Sequence, residues 1–189
     1  MQLDGLKVAV LVTDGYEPSE LTEPAAALRD AGADVSIVSD HDGTIRGKAD
    51  KDTATVDLTL DTARPDDYAA LLIPGGVKNP DTMRQNMLGV AFVRHFADAG
   101  KPIAAICHAP WLLVEADVVR GRRVTSYPSL KTDLRNAGAE WVDSEVVVDS
   151  GIVTSRTPKD LPAFNAKMLE EFAEGIHERA TAGTAGAVH

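Results

Sequence analysis

The stretch that decides the fold runs from residue 6 to residue 39, LKVAVLVTDGYEPSELTEPAAALRDAGADVSIVS. Leu6 to Val12 is a short, Val-rich apolar run, the pattern of a strand buried on both faces of a parallel sheet. Thr13-Asp14-Gly15 breaks it. Pro18-Ser19-Glu20-Leu21 then opens a helix in which Leu21, Pro24, Ala25 and Leu28 recur at helical spacing until Gly32 stops it. Ala33 to Val38 reads as a second strand. Strand, helix and strand form a βαβ unit, whose crossover is right-handed in nearly all cases.

The same alternation continues outward. Residues 41–62 are polar, with a turn at Asp42-Gly43 and short strands predicted at Thr44–Arg46 and Thr55–Leu58. Ala69 to Ile73 is a buried strand cut off by Pro74-Gly75-Gly76. Apolar residues at Met87, Val90, Ala91, Val93 and Phe96 predict a helix over 87–99, closed by Gly100. Ile103 to Ile106 is another buried strand, running directly into Cys107. Further helices are predicted at 111–116 and 130–137, with a turn feeding a short strand at 121–124 between them. A hairpin pairs 142–149 with 152–155 around Ser150-Gly151, and a final amphipathic helix spans 161–176. From Thr181 to Val188 the chain has too little apolar surface to specify a fold. The expected organisation is one domain over 1–180 and a flexible tail over 181–189.

Strands alternating with helices imply an α/β sandwich of three layers, a mostly parallel sheet covered by helices on both faces. Ligands bind such sheets beyond the carboxyl ends of the strands. The loops Asp14–Glu17, Pro74–Gly76 and Cys107–Pro110 all lie at those ends and are expected to converge.

Composition narrows the function. The 189 residues carry a net charge of −10, which argues against nucleic acid as a partner, since phosphate binding needs clustered Lys and Arg. No apolar run reaches the roughly 20 residues that span a bilayer. The start, Met1-Gln2-Leu3-Asp4-Gly5, lacks the basic residues and cleavage site of a signal peptide, so a cytoplasmic location is expected. One cysteine excludes an intramolecular disulfide or a Cys-rich zinc site. The histidines outside the Cys107 region, His41, His95, His177 and His189, show no metal-ligand spacing and read as surface or packing residues. No metal or organic cofactor is expected.

The chemistry concentrates at Ala104-Ala105-Ile106-Cys107-His108-Ala109-Pro110. A buried strand ends at Cys107 and a helix begins within two or three residues. The small Ala105 and Ala109 flank the thiol as in a nucleophile elbow, where they permit a sharp turn. A helix N-terminus under the sulfur favours the thiolate, lowering a free pKa of about 8.5. The bland alternative is a cysteine that fills the core. His108 either exchanges a proton with the thiol or hydrogen-bonds at the helix start. Glu17, just past the first strand, is either a first-turn acid favoured by the helix dipole or a partner of Cys107. As a partner, an ionised carboxylate would oppose the thiolate and a protonated one would support it. Pro74-Gly75-Gly76 is either a plain turn or, with the His108 amide, an oxyanion hole.

Taken together, DGYEPSEL, IPGG, AAICHAP and the segment TSYPSLKTDLRNAGAEWVDSEVVVDSGIVTSRTPKDLPAF resemble the DJ-1/PfpI superfamily, in particular its PfpI branch, over about Leu6 to Ile176. That resemblance implies a flavodoxin-like fold of the class I glutamine amidotransferase type. It implies that Cys107 is the reactive residue, Glu17 its buried hydrogen-bonding partner and His108 the neighbouring imidazole. It also implies a homo-oligomer, dimer or hexamer, in which an acidic residue from an adjacent subunit orients the histidine. Asp81 is the nearest match, displaced by one extra residue and Asp where Glu is common. The activity implied is cysteine-dependent chemistry on methylglyoxal or its glycation adducts. Peptide hydrolysis by Cys107, His108 and a neighbour's Asp81, and non-catalytic oxidation sensing by Cys107, are the alternatives.

Overall fold

A strand whose residues are apolar on both faces needs cover on both, and the structure supplies it. The computed structural model describes residues 2–177; the tail expected over 181–189, His189 included, lies outside them. The chain runs through β1 (Lys7–Leu11), α1 (Pro18–Asp30), β2 (Asp34–Ser39), β3 (Thr44–Arg46), β4 (Thr53–Thr55), β5 (Leu58–Thr59), β6 (Ala70–Ile73), α2 (Lys78–Met83), α3 (Met87–Asp98), β7 (Ile103–Ile106) and α4 (Pro110–Glu115). It continues through β8 (Arg123–Val124), α5 (Lys131–Asn136), β9 (Glu140–Trp141), β10 (Val146–Asp149), β11 (Ile152–Ser155) and α6 (Leu161–Glu174). Among the described residues no helix is long and apolar enough to cross a membrane.

The main sheet has seven strands in the order β10-β11-β7-β6-β1-β2-β5. Only the β10–β11 pair is antiparallel; β11–β7, β7–β6, β6–β1, β1–β2 and β2–β5 are parallel. Side chains alternate along each strand, so successive residues enter opposite layers. Ala9, Leu11, Leu71, Ile73, Ile103 and Ala105 face Phe92 and Phe96 of α3 and Leu112 and Leu113 of α4. Val8, Val10, Leu72, Ala104 and Ile106 face Leu21 and Leu28 of α1 and Phe164, Met168 and Phe172 of α6. This is the doubly covered, mostly parallel sheet expected from the alternation, in the flavodoxin-like form that the resemblance implies.

Differences from the expected elements have local causes. The predicted strand at 55–58 is two strands: β4 pairs with β3 in a separate hairpin, while β5 extends the main sheet beside β2. Asp57 separates them by exchanging bonds with Ile37, whose N–H donates to its Oδ2 at 2.7 Å and whose carbonyl accepts from its N–H at 2.9 Å. α2 was not expected. KNPDTM has no apolar repeat, and the helix buries mainly Asn79, Pro80 and Met83. β9 was also missed; its two residues pair with β8 outside the main sheet. The strand expected at 142–149 is shortened to β10, and the residues before it form a loop in which the Ser155 hydroxyl donates to the Glu145 carbonyl at 2.6 Å. α6 stops at Glu174 because Gly175 turns to φ +82°.

Phe96 is fully buried between α3 and the sheet and packs on Phe92 at a ring-centroid distance of 5.3 Å. Phe96→Ala is expected to lower unfolding free energy by about 3–5 kcal/mol, measured by urea denaturation.

Candidate active site

The turn after β7 bends abruptly. Cys107 has φ +63°, a left-handed conformation that costs a non-glycine residue roughly 1–2 kcal/mol and persists only where the surroundings impose it. They do so here. The Cys107 N–H donates to the Ser155 carbonyl at the end of β11 (3.0 Å), and the Cys107 carbonyl accepts from the Tyr127 N–H (2.9 Å). Ala105 and Ala109 are completely buried around the bend.

The expected loops meet at this bend. A Cβ placed on Gly75 would lie 2.6 Å from Cys107 Cβ, so only glycine allows the turn after β6 to approach the thiol. Gly76 adopts φ +85° and presses against the backbone of Tyr16 and Glu17 in the first loop. The backbone amides of Gly76 and His108 lie close enough to the Cys107 sulfur to favour its thiolate. Gly75, Gly76 and His108 therefore lie around the thiol.

The carboxyl group that the fold brings to the thiol is that of Glu20, and this corrects the expectation placed on Glu17. Glu17 precedes α1 in extended conformation, and its side chain is ion-paired with Lys48. Glu20 lies one turn further on, fully buried. Its Oε2 accepts from the Gly75 N–H at 3.0 Å, and the carboxyl interacts with the Cys107 side chain. Oε1 is buried without a well-aligned partner, which a proton shared with the sulfur would satisfy. The signal for Glu20 was present in the sequence. It stands four residues before Pro24 and eight before Leu28, on the same buried stripe of α1.

Burial, reinforced by the negative charge of Glu17, raises Glu20 to about 8, so its carboxyl is mostly protonated at neutral pH. Burial and the Glu20 carboxylate push the Cys107 thiol up to about 12, while the Gly76 and His108 amides pull it down. The lowering expected from the helix N-terminus is thus outweighed by desolvation. Keeping Glu20 protonated removes its opposing charge, so the carboxyl opposes the thiolate less below about pH 8 than above it.

His108 is buried beside the thiol, its Nδ1 3.2 Å from Cys107 Sγ and its Nε2 3.3 Å from the Ser129 hydroxyl. Tyr127 stacks on the ring at 4.5 Å and Trp111 meets it edge-on at 5.1 Å. Desolvation lowers the His108 pKa, which keeps the imidazole neutral. Ser129, Tyr127 and Trp111 were not anticipated. Tyr127 and Ser129 lie in the TSYPSL stretch and Trp111 just after AAICHAP, and all three reach the histidine only through the fold.

The sequence pattern of the DJ-1/PfpI family matches residues 6–171. The chain belongs to the DJ-1/PfpI family. It is 48% identical over 165 residues to protein/nucleic acid deglycase 2 of Escherichia coli K12, covering 86% of this chain and 95% of that protein. It is 45% identical over 167 residues to general stress protein 18 of Bacillus subtilis, covering 87% and 96% respectively. Among solved structures, Drosophila melanogaster DJ-1beta superposes with a TM-score of 0.84 at 31% identity, covering 89% of this chain and 91% of that one.

Within this member of the DJ-1/PfpI family, Asp81 is exposed on α2, and the His108 ring nitrogens meet Cys107 and Ser129 of the same chain. His41 and His95 pair with Asp14 and Asp66. Glu171, Glu174 and His177 bring one potential ligand atom each within 4.8 Å of one another, a grouping that spacing alone did not indicate. His177 packs against Gly100 and Gly151, just before β7 and β11, at the opposite end of the sheet from Cys107. Its Nε2 is already paired with Glu171 at 3.1 Å.

Because Glu20 is raised from an ordinary 4.5, its neutral form contributes stability that is complete below pH 4.5 and is lost as pH rises through 8. The loss runs at roughly 1.4 kcal/mol per pH unit across that window. Glu20→Gln, which cannot ionise, is expected to flatten that component. The check is the difference in urea unfolding free energy between wild type and variant at pH 5, 6.5 and 8.

Proposed function

We propose that this protein is a cysteine-dependent enzyme that converts methylglyoxal, and the early adducts it forms with amines and thiols, to lactate. The observation that carries the reading is the clustering around one sulfur of a neutral imidazole, two backbone donors and a carboxyl raised to about 8. The deglycase relative at 48% identity supports the same class of substrate.

The chemistry follows from what each group can do. His108 Nδ1 takes the thiol proton as the sulfur attacks the aldehyde carbon, forming a carbon–sulfur bond and a hemithioacetal. The Gly76 and His108 amides hold the oxygen that gains negative charge. The imidazolium returns its proton to that oxygen; His108, neutral again, then takes the proton from the former aldehyde carbon to give an enediol, and returning a proton to the adjacent carbon leaves a thioester. Water cleaves the thioester, releasing lactate and restoring the thiol. Methylglyoxal plus one water equals lactic acid, so no external oxidant or reductant is consumed. An amine adduct, a hemiaminal, first breaks its carbon–nitrogen bond: its hydroxyl gives up a proton as the nitrogen takes one and leaves as the free amine, and the aldehyde so restored enters the same sequence.

Peptide hydrolysis is the second reading, and it needs an orienting carboxylate for His108. Asp81 of a neighbouring copy would supply it from the exposed surface of α2. The contact of His108 Nε2 with Ser129 in its own chain favours the first reading.

Cys107→Ala is expected to reduce lactate formation from methylglyoxal to background, and His108→Ala to reduce kcat by at least about 100-fold, the scale of a lost acid–base group. Both are read by lactate assay, and by recovery of free N-acetyl-lysine from its methylglyoxal adduct. Wild-type protein that leaves methylglyoxal unchanged while cleaving casein would reject the first reading in favour of the second.

A further inference from the structure

The turn that brings the Gly75 and Gly76 amides to the site is clamped by a side chain outside it. Asn79, on α2, is 1% exposed. Its Oδ1 accepts from the Thr13 N–H at 2.8 Å, and its Nδ2 donates to the carbonyls of Pro74 at 2.9 Å and Gly75 at 3.0 Å. The orientation of this amide is forced, because a backbone N–H can only donate and a carbonyl can only accept. One side chain therefore ties the carboxyl end of β1 to the carboxyl end of β6. Thr13 is itself held, its hydroxyl donating to Asp40 Oδ1 at 2.6 Å.

The consequence lies in the peptide planes. No peptide bond in the described chain is cis, and in a planar trans unit the carbonyl and the following N–H point in opposite directions. Holding the Pro74 carbonyl on Asn79 therefore aims the Gly75 N–H the other way, where it meets Glu20 Oε2 at 3.0 Å. Holding the Gly75 carbonyl, which accepts from Asn79 at 3.0 Å and more weakly from the Glu17 N–H at 3.4 Å, likewise aims the Gly76 N–H the other way, on the side where it favours the Cys107 thiolate. A Gly-Gly peptide has little intrinsic preference against rotating about its flanking bonds. Rotated, it would present a carbonyl oxygen to the sulfur instead of a donor.

We propose that Asn79 is a positioning residue: its carboxamide locks two successive peptide planes so that the Gly75 and Gly76 N–H groups face Glu20 and Cys107. Asn79 touches neither substrate nor sulfur and acts through the turn. The role rests on reading the Gly76 amide as a donor to the sulfur and to the developing oxyanion. Aspartate is the sharpest probe, since it keeps the size and the acceptor for Thr13 but sets an oxygen against two carbonyl oxygens.

The test is the pH dependence of Cys107 alkylation by iodoacetamide, alongside kcat and KM for methylglyoxal, in wild type, Asn79→Asp and Asn79→Ser. Both variants are expected to alkylate about tenfold more slowly at pH 7, the scale of one lost hydrogen bond to a charged group, with an apparent thiol pKa shifted upward. Their kcat should fall by a similar factor with KM little changed. Serine, which retains one donor, should show the smaller effect. Unchanged alkylation profiles and kcat in folded variants overturn the proposal. If neither variant folds, amide hydrogen exchange in the wild type decides: slow exchange at Gly75 and Gly76 supports the clamp, and exchange at the rate of an open loop overturns it. Alkylation needs no turnover. A chain that shows the Asn79 dependence but leaves methylglyoxal unchanged would reject the proposed reaction and retain the positioning role.

Discussion

A carboxyl group buried among apolar side chains holds the site together. Glu20 has one oxygen on the Gly75 amide and interacts with the Cys107 thiol, so it joins α1, the turn after β6 and the bend after β7. Burying a carboxylate there would be costly, and the group resolves the cost by keeping its proton near neutral pH. That proton removes the charge that would oppose a thiolate. The depth of the thiol has the same cause. The turn after β6 packs so closely on Cys107 and Glu20 that a side chain larger than glycine at position 75 would collide with both.

The sheet makes this arrangement possible. β1, β6 and β7 are adjacent and parallel, so their carboxyl ends deliver three loops to one place. The antiparallel β10–β11 pair extends the same edge, and the last residue of β11 supplies the carbonyl that fixes the bend at Cys107. The strained backbone of Cys107 is thus supported by a strand nearly fifty residues later in the chain. Around His108, Trp111, Tyr127 and Ser129 complete a wall of aromatic and hydroxyl groups that holds the ring in place and keeps it neutral.

How much of this could be read from residue order depends on the range of the interaction. Strands with apolar residues on both faces, helices with a single buried stripe and turns marked by Gly or Pro are local patterns. β1, α1, β6, α3, β7 and α6 are accordingly legible to within two or three residues. α2 and the split between β4 and β5 are not, because KNPDTM has no apolar period and the break at Asp57 depends on Ile37 in a neighbouring strand. Glu17 and Glu20 illustrate the same limit at the site. Both are acidic residues near the start of one helix, and the choice between them turns on the helical phase that points Glu20 inward and leaves Glu17 to Lys48.

By itself, then, the sequence determined a doubly covered parallel sheet, a single cysteine at a strand-to-helix bend with histidine beside it, and a glycine turn able to approach it. These are consequences of periodicity, residue size and backbone freedom, which act over a few residues. Tertiary structure alone decided which carboxyl meets the thiol, which way the Gly75 and Gly76 amides face, and which side chains enclose His108. Those outcomes depend on groups from Thr13 to Ser155 meeting in space, and on the burial that their meeting creates. Burial, not residue type, moves Glu20 and Cys107 away from their ordinary protonation.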